Sequence, residues 1–111
     1  MKKYRLGILA EYIVLMLYKM RFYSILHRRM KTYVGEIDLI ALRGKQLVFI
    51  EVKARKNGLH EWIVSEDQQI LIKRAAELFL SQNLQYTNYN IRFDLAVVMP
   101  YHWSLITKNA W

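Results

Sequence analysis

The chain contains no cysteine. That excludes disulfides, thiolate metal sites and cysteine nucleophiles, and it permits a reducing interior. There is a single proline, Pro100, and no low-complexity tract, repeat or shift in composition that would mark a linker. No glycine-rich phosphate cradle and no serine-histidine-aspartate arrangement is present. The three histidines, His27, His60 and His102, are scattered without zinc-site spacing, so they read as structural or surface residues. Acids are scarce, nine against 17 lysines and arginines.

What remains is a folding sequence. Its 111 residues fit a single domain, 1–111, and 54% are hydrophobic. The net charge of +8 suits a polyanionic partner, because each phosphate contact releases condensed counterions. Nucleic acid fits that charge best; an anionic membrane surface is the other option. As single residues, Lys2, Lys3, Arg28, Arg29, Lys31, Arg43, Lys45, Arg55 and Lys56 read as ordinary surface charges. The basic start, Met1 to Arg5, and the apolar stretch from Leu6 to Tyr18 imitate a signal peptide. Glu11 interrupts that stretch, no small-residue cleavage site follows, and Lys19-Met20-Arg21 comes next. A bilayer span also needs about 20 apolar residues. The segment is therefore expected to be a buried or half-buried helix of a cytoplasmic protein that does not enter a membrane.

Periodicity predicts a helix over 4–20 and a short strand over 22–29. Residues 34–42 and 46–55 alternate with period two, as half-buried strands do. Between them, Arg43-Gly44-Lys45-Gln46 fits a type II′ hairpin turn. Ser65 followed by Glu66 and Asp67 marks a helix start, and helical spacing runs to about residue 83. Residues 91–99 form another strand, ended by Pro100, and a last short strand or turn lies between Trp103 and Lys108. The order αβββαβ predicts an α/β fold with a mixed sheet of four to five strands flanked by helices.

The turn sets the register. If Arg43 pairs with Gln46, then Asp38 faces Glu51 and Glu36 faces Lys53. Opposed residues share a face, with Cβ atoms about 5 Å apart. One face of the hairpin is then expected to carry Glu36, Asp38, Glu51 and Lys53, and the other Ile37, Leu39, Ile50 and Val52 as a core face. A slip of one residue would separate Asp38 from Glu51. Two opposed carboxylates repel, and a divalent cation between them would remove the penalty. Mg²⁺ takes oxygen ligands and keeps waters for work on phosphate groups. It polarises a phosphodiester and lowers the pKa of bound water, while Lys53 can orient the water or stabilise phosphate charge. The competing interpretation is a cross-strand ion network of Glu36 and Glu51 with Lys53.

Glu11, in the run Ile8 to Val14, is costly to bury unpaired. It needs a cation, a metal-bound water or a partner such as Arg28, unless the helix turns outwards there. Arg92 and Asp94, two apart on one strand, are expected to form an ion pair. Tyr86, Tyr89, Tyr101 and Trp103 are expected to pack in the core, whereas Trp62 follows the polar His60-Glu61 and is a candidate for stacking on bases.

Gly35-Glu36-Ile37-Asp38-Leu39-Ile40-Ala41, followed by Phe49-Ile50-Glu51-Val52-Lys53-Ala54-Arg55, resembles the core of the YraN-type uncharacterised family. That family in turn resembles the PD-(D/E)xK, restriction-endonuclease-like nucleases and the archaeal-type Holliday-junction resolvases. The resemblance runs nearly end to end. Gly7 and Glu11 match the N-terminal helix, Arg92-Phe93-Asp94 a late strand, and Asn109-Ala110-Trp111 the usual ending.

The resemblance implies that Asp38 and Glu51 are metal ligands, with the carbonyl of Val52 as a third, and that Lys53 is the catalytic lysine. Glu11 would complete the acidic site, directly or through water. Glu36 belongs to the motif. Gln68 stands where the family usually has lysine, and His27-Arg28-Arg29 departs from a basic or asparagine-containing stretch. The expected activity is Mg²⁺-dependent cleavage of DNA, with Mn²⁺ as substitute, selective for branches, flaps or junctions; a homodimer would suit a two-fold substrate. The alternatives are a non-catalytic DNA-binding module and an adaptor that keeps the fold alone.

Overall fold

A computed structural model describes residues 3–54, 64–99, 102–107 and 110–111, with side chains for 7–54, 64–99 and 110–111. The elements are helix α1 (Lys3–Met20), strands β1 (Ser24–Lys31), β2 (Glu36–Arg43) and β3 (Gln46–Ala54), helix α2 (Glu66–Gln82), strand β4 (Asn90–Met99) and strand β5 (His102–Thr107). A 3₁₀ turn, Leu84–Tyr86, follows α2. The five strands form one sheet in the order β1-β2-β3-β4-β5. Strands β3 and β4 are parallel and the other neighbours antiparallel, so the sheet is mixed and the fold α/β, as expected.

Each helix covers one face of the sheet. Ala10, Val14, Leu15 and Tyr18 recur at helical spacing on α1 and pack on Leu39, Ala41, Val48, Ile50 and Ala96. Ile72, Ala75, Ala76 and Phe79 of α2 pack on Ile40, Leu47, Phe49, Leu95 and Val97. The central strands are thus buried on both sides, and truncating Leu39 or Ile50 to alanine would cost about 2–5 kcal/mol. The expected single core face therefore needs two corrections. Ile40, Leu47 and Phe49 on the other face are fully buried, and Ile37 packs with the α2 cluster while Leu39, Ile50 and Val52 pack with the α1 cluster. Ile37 and Ile40 lie an odd number of residues apart yet share one cluster, so the alternation of β2 breaks around Asp38.

Turn chemistry explains the element ends. Phe22 takes a positive φ of 68° in the seat glycine usually fills after a helix; Phe22 N–H donates to the Lys19 carbonyl and Tyr23 N–H to that of Tyr18. This cap delays the first strand to Ser24, two residues later than periodicity suggested. Gly44 has φ +60° whereas Lys45 keeps a negative φ, as a type II′ turn requires, and Arg43 pairs with Gln46. The Ser65 side chain accepts from Gln68 N–H, the expected N-cap of α2. Gly35 is required because a Cβ there would meet the Leu71 carbonyl oxygen of α2 at 2.9 Å. No helix among the described residues is long and apolar enough to cross a membrane.

Candidate functional site

The site lies where β2 and β3 part. Their ladder runs from Arg43↔Gln46 to Leu39↔Ile50, and one further step in that register places Asp38 against Glu51. At that point the side chain of Asp38 replaces the backbone as a partner. Val52 N–H donates to Asp38 Oδ2 at 2.8 Å. The N–H and C=O of a strand residue point to the same side, so the Val52 carbonyl also faces the edge that holds Asp38.

The two carboxyls are near enough to act on each other. Burial pushes both above the usual carboxylate range. For Glu51 the Asp38 charge adds to burial and the rise reaches about 8. Asp38 is held lower by its bond from Val52 N–H. At neutral pH Glu51 therefore leans to its protonated form. Lys53 favours the charge on both, and Glu11 opposes it.

Lys53 acts on the carboxyls through its charge, but its hydrogen bond goes elsewhere. Its Nζ donates to Gln68 Oε1 at 3.0 Å, linking β3 to the first turn of α2. Gln68 is held in turn by its own N–H on Ser65 Oγ at 3.2 Å. Glu36, by contrast, is exposed and sits across from Lys31 of β1. The structure thus assembles Asp38, Glu51, Lys53 and Gln68, and leaves Glu36 at the margin.

Glu11 reaches the site from α1 and is close enough to act on both carboxyls. Its partner is Arg29, not Arg28: Arg29 Nε donates to Glu11 Oε1 at 2.7 Å. The cause is local. Arg29 has φ +51°, unusual for a non-glycine residue in a strand. Arg28 lies over the Tyr12 ring of α1 at 4.5 Å and Arg29 bonds Glu11 of the same helix. Two successive arginines therefore face α1. Periodicity could not reveal Arg29 because its geometry breaks that periodicity.

Several expectations are met away from the site. Arg92 and Asp94 form a two-pronged ion pair, at 2.8 and 2.9 Å. Asp94 also accepts from Tyr18 OH at 2.7 Å, and Arg92 donates to Tyr23 OH at 3.0 Å. Tyr86 and Tyr89 pack on the α2 cluster, and His27 lies edge-on to Phe79 at 5.4 Å. Trp62, His60, Tyr101 and Pro100 lie outside the described residues, as do the side chains of His102 and Trp103.

The donors suit a hard divalent ion. Among the described residues no three His, Cys, Asp or Glu side chains are grouped to hold a metal. A pair of carboxylates and a carbonyl nevertheless matches Mg²⁺, which is bound by one or two carboxylates and otherwise keeps its waters. The proton that burial keeps on Glu51 is what such an ion would displace.

Sequence comparison places the chain among known bacterial proteins. It is 37% identical over 110 residues to a UPF0102 protein of Mesorhizobium japonicum, covering 98% of this chain and 88% of that one. It is 36% identical over 110 residues to one from Parvibaculum lavamentivorans, covering 97% and 82%. For an Ehrlichia ruminantium relative the figures are 38% over 111 residues, 96% and 83%. Residues 10–98, which include Glu11, Asp38, Glu51, Lys53 and Gln68, match the family profile described as uncharacterised protein family UPF0102, and the chain belongs to that family.

Proposed function

We propose that the protein is a Mg²⁺-dependent endonuclease that hydrolyses phosphodiester bonds in DNA, with selectivity for branched or otherwise irregular structures. The observation that carries this reading is the Asp38–Glu51 pair: two carboxyls pressed together at the end of a β-ladder, both raised in pKa, with Lys53 beside them. A purely structural pair of this kind would be destabilising without return.

In this reading the Val52 N–H orients Asp38 and favours its charged form, and Asp38 and Glu51 would hold the ion once Glu51 is deprotonated. The bound Mg²⁺ supplies Lewis-acid polarisation of the phosphate and a more acidic water. Lys53, braced by Gln68, orients the attacking water or stabilises charge on the phosphate. Glutamine at 68 serves as a neutral acceptor that leaves the lysine charge for the substrate. Water adds to phosphorus, one P–O bond breaks, and the products are a phosphomonoester and an alcohol. Glu11 and Arg29 form the wall nearest α1.

Purified protein should nick labelled branched DNA in Mg²⁺ or Mn²⁺ and stop in EDTA. Asp38→Ala and Glu51→Ala should each abolish the product; undiminished cleavage by these variants would remove the site from the reaction. A second reading, a DNA-binding module without cleavage, draws support from the +8 charge and from the departures at Gln68 and His27-Arg28-Arg29. Salt-dependent binding that survives EDTA, with no product at high protein concentration, would favour it.

A further inference from the structure

We propose that the groove between α1 and β1 is a subsite for one or two unpaired nucleotides of the DNA strand entering the Asp38–Glu51 site. This rests on the nuclease reading for the adjoining chemistry, but its own observations are separate. The groove measures about 570 Å³, and Tyr12, Leu15, Met16, Lys19, Ile25 and Arg28 are among its lining residues. That volume lies within the roughly 300–1,000 Å³ of small-ligand clefts. It has room for splayed bases and not for a duplex.

The lining is a mixture that suits a single strand. Its floor is apolar, Leu15 and Ile25, while Lys19 and Arg28 supply charge and no carboxylate is among its described lining residues. Tyr12 and Met16 are about half exposed, at 48% and 53%, which is unusual for large side chains over an apolar floor. Arg28 already lies on the Tyr12 ring at 4.5 Å, so the aromatic plane is held in place by a cation. An aromatic face beside cations on an apolar bed is the pattern that binds unpaired bases with little regard to sequence. A duplex phosphate track would need cations without the apolar floor.

Position completes the argument. Tyr12 follows Glu11 and Arg28 precedes Arg29, and Glu11 and Arg29 are paired at the edge of the acidic site. The groove therefore opens one residue from the chemistry on both walls. A strand leaving the site towards α1 meets Tyr12 first. This subsite gives a physical basis for preferring flaps and branch points, where free nucleotides are available, over continuous duplex.

The test measures binding in EDTA, where cleavage plays no part. Fluorescence anisotropy would compare a labelled blunt duplex with the same duplex carrying a thymidine overhang of about four nucleotides. Wild type should prefer the overhang. Tyr12→Ala should reduce overhang affinity about tenfold while changing blunt-duplex affinity little, and Met16→Glu, which places a carboxylate in the groove, should act in the same direction. Circular dichroism would check that both variants fold.

Equal affinity for the two probes, or an overhang preference untouched by both variants, overturns the subsite. So does the finding that these variants alter only self-association or binding to phosphatidylglycerol vesicles, since the groove would then serve another copy or a lipid surface. Loss of the nuclease reading has a different signature: no product from any DNA in Mg²⁺, whatever the overhang preference.

Discussion

One buried and one half-buried carboxylate site lie in the same sheet, on β4 and on β2 with β3, and they differ in what compensates them. Asp94 of β4 is fully buried, yet its oxygens receive Arg92 and the Tyr18 hydroxyl. Burial and the bond to Asp94 hold the Tyr18 phenol well above its ordinary range, so that network stays fixed at physiological pH. Asp38 and Glu51 are less deeply placed, but each has the other as its neighbour. Lys53 favours their charged forms but hydrogen-bonds Gln68, and Arg29 pairs with Glu11. The first site is a closed structural knot. The second sets two carboxyls side by side, so that the charge of Asp38 opposes that of Glu51. That contrast separates a stabilising ion pair from a receptive one.

The largest effect that would sharpen the contrast is on activity. Glu51→Ala or Asp38→Ala should lower cleavage on the order of 10²–10³-fold or more, while the protein still folds. Removing one carboxylate relieves repulsion, so thermal unfolding of Glu51→Gln should occur at or above the wild-type temperature. The knot should behave in the opposite way. Asp94→Asn strands the Arg92 guanidinium and should cost roughly 3–5 kcal/mol of stability by denaturant titration. Equal stability losses at the two sites would erase the distinction.

The next effect is on pH dependence. Glu51 has a folded pKa near 8, raised above the usual 4.5, so between those values the folded state holds more protons than the unfolded state. Stability without metal should therefore fall as pH rises from about 5 to 8, and Glu51→Gln should flatten this slope. Added Mg²⁺ should restore stability most at the alkaline end, because ligands must be deprotonated to bind. The smallest effect concerns the brace. Gln68→Ala should lower turnover by about 10-fold and leave metal affinity nearly unchanged, read as a fall in kcat with KM little altered.

Much of this site was legible in the sequence because one turn determined it. Gly44 at the first corner of a two-residue turn sets Arg43 against Gln46, and counting outwards brings Asp38 to Glu51. The helix start was equally legible, since Ser65 and the acids after it carry a local signal. Three features were not. Alternation placed Ile37 with Leu39, but β2 changes parity at Asp38, which puts the carboxylate within reach of Val52 N–H. Arg28 was one of the partners considered for Glu11, but the positive φ of Arg29 turns the next arginine to α1. The register set Lys53 opposite Glu36, whereas its hydrogen bond goes to Gln68 across a connection no local pattern describes. Each miss lies where tertiary contacts override strand periodicity, and all three surround the candidate site.

The most direct test of the receptive pair is calorimetric titration of Mn²⁺ into wild type and Glu51→Gln at pH 7, repeated in two buffers of different ionisation enthalpy. The account predicts one bound ion with release of close to one proton in wild type, and loss of both binding and proton release in Glu51→Gln. Absence of binding by wild type at millimolar metal, or binding with no proton released, would contradict it.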